Sequence, residues 1–180
     1  MDKSNKKGFT LVELLIVIGI LGILAAAVVV VLNPAELLKQ ARDAQRVQDL
    51  ASINSALALY VASTSSPSFG TTLKAHIAGA DCGDSKSPTA DTDRTVDGTG
   101  WVEVDLDSLS GGSPLSVLPI DPTNSTTYHY CYLGTASDTW ELTAQLESTK
   151  FATDDDLDGT DGGDATSSYE VGSDPGLNII

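Results

Sequence analysis

The chain of 180 residues has few cysteines, few basic residues and few aromatic residues. Two cysteines are too few for a disulfide-dense scaffold, and no Cys-x-x-Cys spacing indicates a zinc or redox site. Only 10 Lys and Arg residues stand against 25 Asp and Glu residues, which gives a net charge of −15. Because phosphate backbones are themselves anionic, this balance argues against nucleic acid as a partner.

Sequence motifs of catalysis are also missing. We find no phosphate-binding loop, no nucleophile elbow and no pair of catalytic carboxylates. The two histidines, His76 and His129, are interpreted as surface or sheet residues without a metal or catalytic role. We therefore predict that the protein is not an enzyme.

One long stretch is almost without charge and runs from Phe9 to Leu32, with Glu13 as its only charged residue. A helix of this length rises about 36 Å, which is enough to cross a hydrocarbon core about 30 Å thick. A cleaved secretory signal peptide is the alternative, but its apolar part is usually about 7–15 residues long and ends near a small-residue cleavage site. This stretch is longer and no such site follows it, so we predict a membrane-spanning helix.

The charges around this segment predict its orientation. Lys3, Lys6 and Lys7 precede it, and the positive-inside rule places them on the cytoplasmic side. The residues after Pro34 then lie outside. A carboxylate at mid-depth in a bilayer costs about 3 kcal/mol, and less near the surface, so Glu13 is a candidate functional residue.

The start of the apolar segment has a specific pattern. A short basic leader ends at Gly8, and Phe9-Thr10-Leu11-Val12-Glu13 follows it. This arrangement resembles the signal shared by type IV pilins and type II secretion pseudopilins. The resemblance implies that a prepilin peptidase cleaves between Gly8 and Phe9, and that the new N-terminus of Phe9 is methylated. It also implies that Glu13 pairs with the Phe9 ammonium of a neighbouring subunit; the alternative is a carboxylate at the headgroup level without a partner.

Apolar residues recur at steps of three and four from Ala35 to about Ala62, which predicts a continuing amphipathic helix. Its predicted apolar stripe consists of Val47, Leu50, Ile53, Leu57, Tyr60 and Val61. Asp43 and Arg46 are expected to form only a weak pair. The predicted organisation is a leader at 1–8, a membrane or filament-core helix at 9–32, an amphipathic helix at 33–63 and an acidic β domain at 64–180.

The acidic domain is predicted to begin with a long surface loop at 64–100, because no sustained period appears there. Strands are predicted at 101–106, 128–133 and 140–147, and the last two are expected to form a hairpin closed by 134–138. The last strand alternates apolar residues with polar ones, which predicts one buried face and one solvent face. We therefore predict an α+β fold, and the resemblance implies the pilin-like form in which a long N-terminal helix packs on a small antiparallel β-sheet.

The two cysteines are Cys82, in the predicted loop, and Cys131, on a predicted strand. If this part of the chain is exported, a disulfide between them can form. It would close a loop of about fifty residues, which is worth about 4 kcal/mol in the chain-entropy model. We predict the disulfide; two free thiols are the alternative.

A second chemical feature is the Asp-rich stretch 154–164. Its alternating carboxylates followed by Gly159 match the opening of a calcium loop, although Ala165 replaces the glutamate expected at the twelfth position. An EF-hand is therefore not supported. The resemblance adds that major pseudopilins hold calcium in a C-terminal loop. Calcium and a solvated acidic loop are equal alternatives here, and the candidate ligands of Ca²⁺ are Asp154, Asp156, Asp158, Asp161 and Asp164.

The resemblance implies a structural subunit of a type IV pilus or pilus-like filament that polymerises through its N-terminal helix. The implied partners are further copies of the chain, the prepilin peptidase and methylase, the assembly machinery and the membrane. A minor tip pilin or membrane-anchored adhesin acting as a binding module is the alternative, as is a type II secretion pseudopilin. The expected location is the inner membrane before assembly, and an extracellular pilus or periplasmic pseudopilus afterwards.

Overall fold

The computed structural model describes residues 8–83 and 86–180. The chain divides after Leu38 into two compact units, which are treated separately below. Lys3, Lys6 and Lys7, from which the membrane orientation was predicted, lie outside the described residues, as does the rest of the leader before Gly8.

The first unit contains helix α1, Leu11–Leu32. None of the residues of this helix is buried. By length and composition alone, the helix that begins at Leu11 can cross a membrane. Asn33 follows the last residue of α1 and has a φ of 40°, in the left-handed region. Pro34 is the first residue of the next helix. Proline has no N–H to donate and would clash with the preceding turn, so it starts a helix more readily than it continues one.

Helix α2, Pro34–Ser63, supplies one layer of the second unit from Lys39 onward. The predicted stripe is confirmed at Leu50, Ile53, Leu57 and Tyr60, which are all buried. The same stripe also buries Asp43 and Arg46 completely. The predicted pair between these two residues is present, but the expectation that it is weak was wrong, because it belongs to a larger buried network that is described below.

The second unit holds a five-stranded sheet in the order β2-β1-β3-β4-β5. Neighbouring strands are antiparallel except for β1 and β2, which are parallel. A π-helical turn, Lys150–Asp154, and a short helix α3, Leu157–Thr160, connect β4 to β5. The strands are β1 Lys74–Ala75, β2 Thr89–Ala90, β3 Tyr130–Gly134, β4 Trp140–Ala144 and β5 Tyr169–Gly172. The predicted α+β fold is confirmed.

The main core lies between α2 and one face of the sheet. β3 contributes Tyr130 and Tyr132 to this core, and β4 contributes Trp140 and Leu142. Phe69 stacks on Trp140 with ring centroids 4.9 Å apart. These alternate positions on paired strands face α2 because successive side chains of a strand point to opposite faces.

The opposite face of the sheet is covered as well. Cys131 on β3 packs there with Ala75, Ala80, Cys82 and the C-terminal Ile180. On β4 this face carries Glu141 and Thr143, which are both buried. The expected solvent face of this strand does not exist, because the loop at 76–83 and the C-terminal residues lie over that side.

Two other predictions for this unit fail. The segment 101–106 alternates like a strand, but it forms bends with a single bridge between Asp97 and Asp105. Its apolar residues are buried without a partner strand: Trp101, Val102, Val104 and Leu106. The predicted surface loop at 64–100 contains β1 and β2, and β5 was not predicted.

Candidate functional site

Thr10 and Glu13 form a reciprocal cap at the start of α1. The Glu13 Oε2 accepts hydrogen bonds from the backbone N–H and the hydroxyl of Thr10, both at 2.8 Å. The Glu13 N–H in turn donates to the Thr10 hydroxyl at 3.2 Å. This is a capping box, and the Thr-x-x-Glu pattern that predicts it was visible in the sequence. The only carboxylate of α1 therefore has partners within its own chain.

Gly8 and Phe9 precede this cap in exposed, non-helical backbone. A Cβ placed on Gly8 would meet no atom within 4 Å. The Phe9 side chain is 92 % exposed. Among residues 8–83 and 86–180, no side chain or backbone group thus crowds Gly8 at the peptide bond that is predicted to be cleaved.

Every residue of α1 is exposed, and nearly all of them are apolar. Cβ atoms placed on Gly19 and Gly22 would also meet nothing within 4 Å. A continuous apolar surface of this size is not stable in water, so it requires lipid or other helices as its surroundings. Small residues such as these two glycines permit helices to approach closely.

Comparison with known proteins adds one finding for this segment. Residues 3–29 match the family described as the prokaryotic N-terminal methylation motif. This is the motif of type IV pilins and pseudopilins, and the predicted pilin-type N-terminus is confirmed. The searches of curated proteins and of solved structures each gave no match.

Arg46 is the centre of a buried ion network in the second unit. Its Nε and Nη2 donate to the two carboxylate oxygens of Asp121 at 2.6 and 3.0 Å. Its Nη1 donates to Asp43 at 2.6 Å and to Glu147 at 2.8 Å. Arg42 holds Glu147 from a second side with two bonds of 2.6 and 2.7 Å. Paired and hydrogen-bonded in this way, the charges tolerate burial.

The network connects α2 to two distant parts of the chain. The Arg42 hydrogen bond, supported by Arg46, lowers the pKa of Glu147 to about 2. Asp43 also accepts hydrogen bonds from the backbone N–H groups of Glu147 and Ser148. Asp43 and Arg46 continue the apolar stripe of α2 toward its N-terminus, and this position was the sequence signal for their burial.

The predicted disulfide between Cys82 and Cys131 is present in the structure, with a Cα–Cα distance of 5.9 Å. Both residues are buried in the apolar cluster on the outer face of the sheet. The bond joins the loop after β1 to β3, and so restrains a part of the chain that has few regular hydrogen bonds.

The Asp-rich stretch does not gather its five candidate calcium ligands into one group. Within 8–83 and 86–180, no three carboxylate groups bring oxygens within 4.8 Å of one another. Asp161 accepts backbone hydrogen bonds from Gly163 and Glu170. Asp158 is buried, and its Oδ1 has no hydrogen-bond partner. Asp154, Asp156 and Asp164 are exposed. Calcium binding by this set stays a prediction, and the unpaired oxygen of Asp158 is the observation in its favour.

Two further carboxyl groups, Glu141 on β4 and Glu170 on β5, are buried together beside this stretch. Burial, reinforced by Glu141, raises the pKa of Glu170 to about 8. The Glu141 Oε2 accepts from the N–H groups of Ile179 and Ile180, but its Oε1 has no other donor. A protonated Glu170 that donates to Glu141 satisfies this oxygen, so the pair holds one proton near neutral pH.

Proposed function

We propose that the protein is the precursor of a structural subunit of a type IV pilus or pilus-like filament. One observation carries this proposal: the methylation motif at residues 3–29 leads directly into a helix whose whole apolar surface is left uncovered in the single chain. In this proposal the leader is removed after Gly8, Phe9 is methylated, and subunits polymerise through α1.

The chemistry of the first residues supports an ionic contact between subunits. Cleavage before Phe9 creates an ammonium group one helical turn from Glu13, which is the only carboxylate of α1. In a packed bundle of apolar helices, a charge-assisted contact between the two groups of different subunits offsets the cost of burying each. Glu13 would exchange its bonds to Thr10 for that contact.

The acidic surface and the disulfide of the second unit support a location of this unit outside the cytoplasm. Twenty of the 25 acidic residues follow residue 73, and such a charge keeps an exported surface soluble. A buried disulfide is typical of proteins in oxidising compartments outside the cytoplasm. We therefore place the precursor in the cell membrane with this unit outside, and the product in a pilus or a periplasmic pseudopilus.

Two narrower roles remain alternatives: a minor pilin or adhesin at a filament tip, and a type II secretion pseudopilin. Immunogold labelling separates the first from a major subunit, since a major subunit is labelled along the shaft and a tip protein only at the end. Deletion of the gene separates the second, because loss of a pseudopilin stops protein secretion while surface filaments persist.

The processing step gives the direct test. The full chain is co-expressed with a prepilin peptidase and its N-terminus is examined by mass spectrometry. We expect the mature chain to begin at Phe9 with one added methyl group. Gly8→Val places a branched side chain at the open position and should leave the precursor uncut, whereas Gly22→Val within α1 should be processed normally. A mature chain with another first residue would overturn the proposal.

A further inference from the structure

The disulfide has a third chemical group beside it. His129 and Cys131 are two residues apart where β3 begins, so both side chains lie on the outer face of the sheet. A ring nitrogen of His129 and the two sulfur atoms all lie within 4.8 Å of one another. All three residues are buried, with exposed fractions of 4, 1 and 5 % for His129, Cys131 and Cys82. The His-x-Cys spacing was visible in the sequence, although Cys82 is distant along the chain.

The hydrogen bonding of His129 suits a metal ligand. Its Nδ1 lies 3.2 Å from the backbone oxygen of Ser125, and because a carbonyl can only accept, this nitrogen carries the proton. In this tautomer Nε2 carries the lone pair, which is the arrangement common for ligating histidines.

One of the two cysteines lies beside a cavity. A cavity of about 230 Å³ borders Cys82 and Gly83, and it is otherwise enclosed by residues 164–168 and by Ile180. Asp164 places a carboxylate in its wall. The surrounding unit carries most of the acidic residues of the chain, which favours the entry of a cation over that of an anion.

We propose that Cys82, Cys131 and His129 form a three-ligand site for a soft divalent cation such as Zn²⁺ when the disulfide is reduced. A dithiol reductant supplies the two electrons that break the S–S bond, becomes a disulfide itself, and leaves two thiols. Metal binding then forms two metal–thiolate bonds and one metal–imidazole bond and releases both thiol protons to solvent. A water molecule would complete the tetrahedral arrangement that Zn²⁺ prefers. Oxidation and metal binding exclude each other, since both use the same two sulfur atoms.

The test uses the full chain in detergent micelles, with Co²⁺ as a spectroscopic probe and Zn²⁺ as its competitor. The protein is reduced with a dithiol under anaerobic conditions, and the reductant is removed before titration. We expect one equivalent of Co²⁺ to give the thiolate-to-cobalt charge-transfer band in the near ultraviolet, and Zn²⁺ to abolish it. The oxidised protein should give no such band. A reduced protein that shows no band, whether folded or not, would overturn the proposal.

The variant His129→Gln separates a three-ligand site from two isolated thiols. It keeps both cysteines, and formation of the disulfide by this variant shows that the thiols still meet. We expect its affinity for Co²⁺ to fall at least about tenfold, as is usual when a metal site is weakened. His76→Gln changes the other histidine of the chain and should leave the affinity unaltered. Equal affinity in the wild type and His129→Gln would refute the role of the histidine and the site with it.

Discussion

The two compact units of this chain distribute their apolar and charged residues between surface and interior in opposite ways. α1 exposes an apolar surface on all sides and contains a single carboxylate, whereas the second unit buries Arg46, Asp43, Glu141 and Glu170 beneath an acidic surface. A surface of the first kind is completed by lipid or by other subunits. A core of the second kind is stable within one chain, because these four buried groups each have a partner or share a proton. The comparison predicts that the proposed assembly depends on the first unit and that folding depends on the second.

The largest effect on filament assembly is expected from substitution of Glu13. Glu13→Gln removes the charge but keeps an acceptor for the Thr10 cap, while Thr10→Ala removes the two cap bonds of the hydroxyl and keeps the charge. If subunits join through this carboxylate, the first variant should reduce filament yield at least about tenfold, because breaking a buried ion pair costs about 3–5 kcal/mol. Thr10→Ala should stay within about twofold of wild type. Filaments sheared from cells and quantified by immunoblot give the measurement, and a wild-type yield for Glu13→Gln would exclude the ionic contact.

The second unit should respond most strongly to loss of Arg46. Arg46→Ala leaves Asp43 and Asp121 buried without a cation, and we expect the unit to lose about 3–5 kcal/mol of its free energy of unfolding. Arg42→Ala removes a partly exposed partner of the same network, which solvent screens, and should cost much less. Both tryptophans, Trp101 and Trp140, lie in this unit, so denaturation of the full chain followed by tryptophan fluorescence reports on it alone. Equal losses for the two variants would contradict a central role for Arg46.

A smaller effect is expected from pH. The pKa of Glu170 is about 8 in the folded chain and near 4.5 in the unfolded one, so the folded state holds an extra proton between these values. The free energy of unfolding should therefore fall as pH rises from about 4.5 to 8. Glu170→Gln should flatten this part of the profile, and Asp107→Asn, at an exposed position, should not. A stability that rises over the same interval would contradict the shared proton.

The smallest expected effect is that of calcium on the Asp-rich stretch. If the predicted ligands close around Ca²⁺, a concentration ten times the dissociation constant should stabilise the second unit by about 1.4 kcal/mol. Asp158→Asn alters the buried oxygen without a partner and should remove the effect. Asp155→Asn lies in the same stretch but changes a residue paired with Lys150, and should preserve it. An identical melting temperature with calcium and with a chelator would dismiss the calcium site.

The parts of the fold predicted correctly are those in which the signal is local. The apolar run of α1, the stripe of α2 and the hairpin of β3 and β4 each depend on residues close together in sequence. The two-residue strands β1 and β2 have too few positions to show a period, and they exist because β3 offers an edge to β1. The segment 101–106 shows the opposite error, because it was predicted to be a strand and is not one. Its apolar and polar residues alternate, but no strand among the described residues pairs with it, and it forms buried bends.

Among the candidate sites, too, residues that lie close together in sequence were easier to recognise. Gly8, Phe9 and Glu13 were recognisable because the motif is contiguous. The partners of Arg46 were not, because Asp121 and Glu147 are brought to it only by the tertiary fold. For a similar reason His129 was interpreted as a residue without a metal role, although the fold places it against the disulfide.

The cap formed by Thr10 and Glu13 has a consequence for the energetics of joining subunits. A carboxylate that is already hydrogen-bonded within its own chain does not enter a filament from an unsatisfied state, so the contact with a neighbour replaces existing bonds. The free energy gained is then a difference between two sets of bonds, and it is smaller than the strength of the new contact alone. In the proposed filament, such an exchange would have a modest net driving force at this position, and subunits held in this way would be able to return to the membrane as capped monomers.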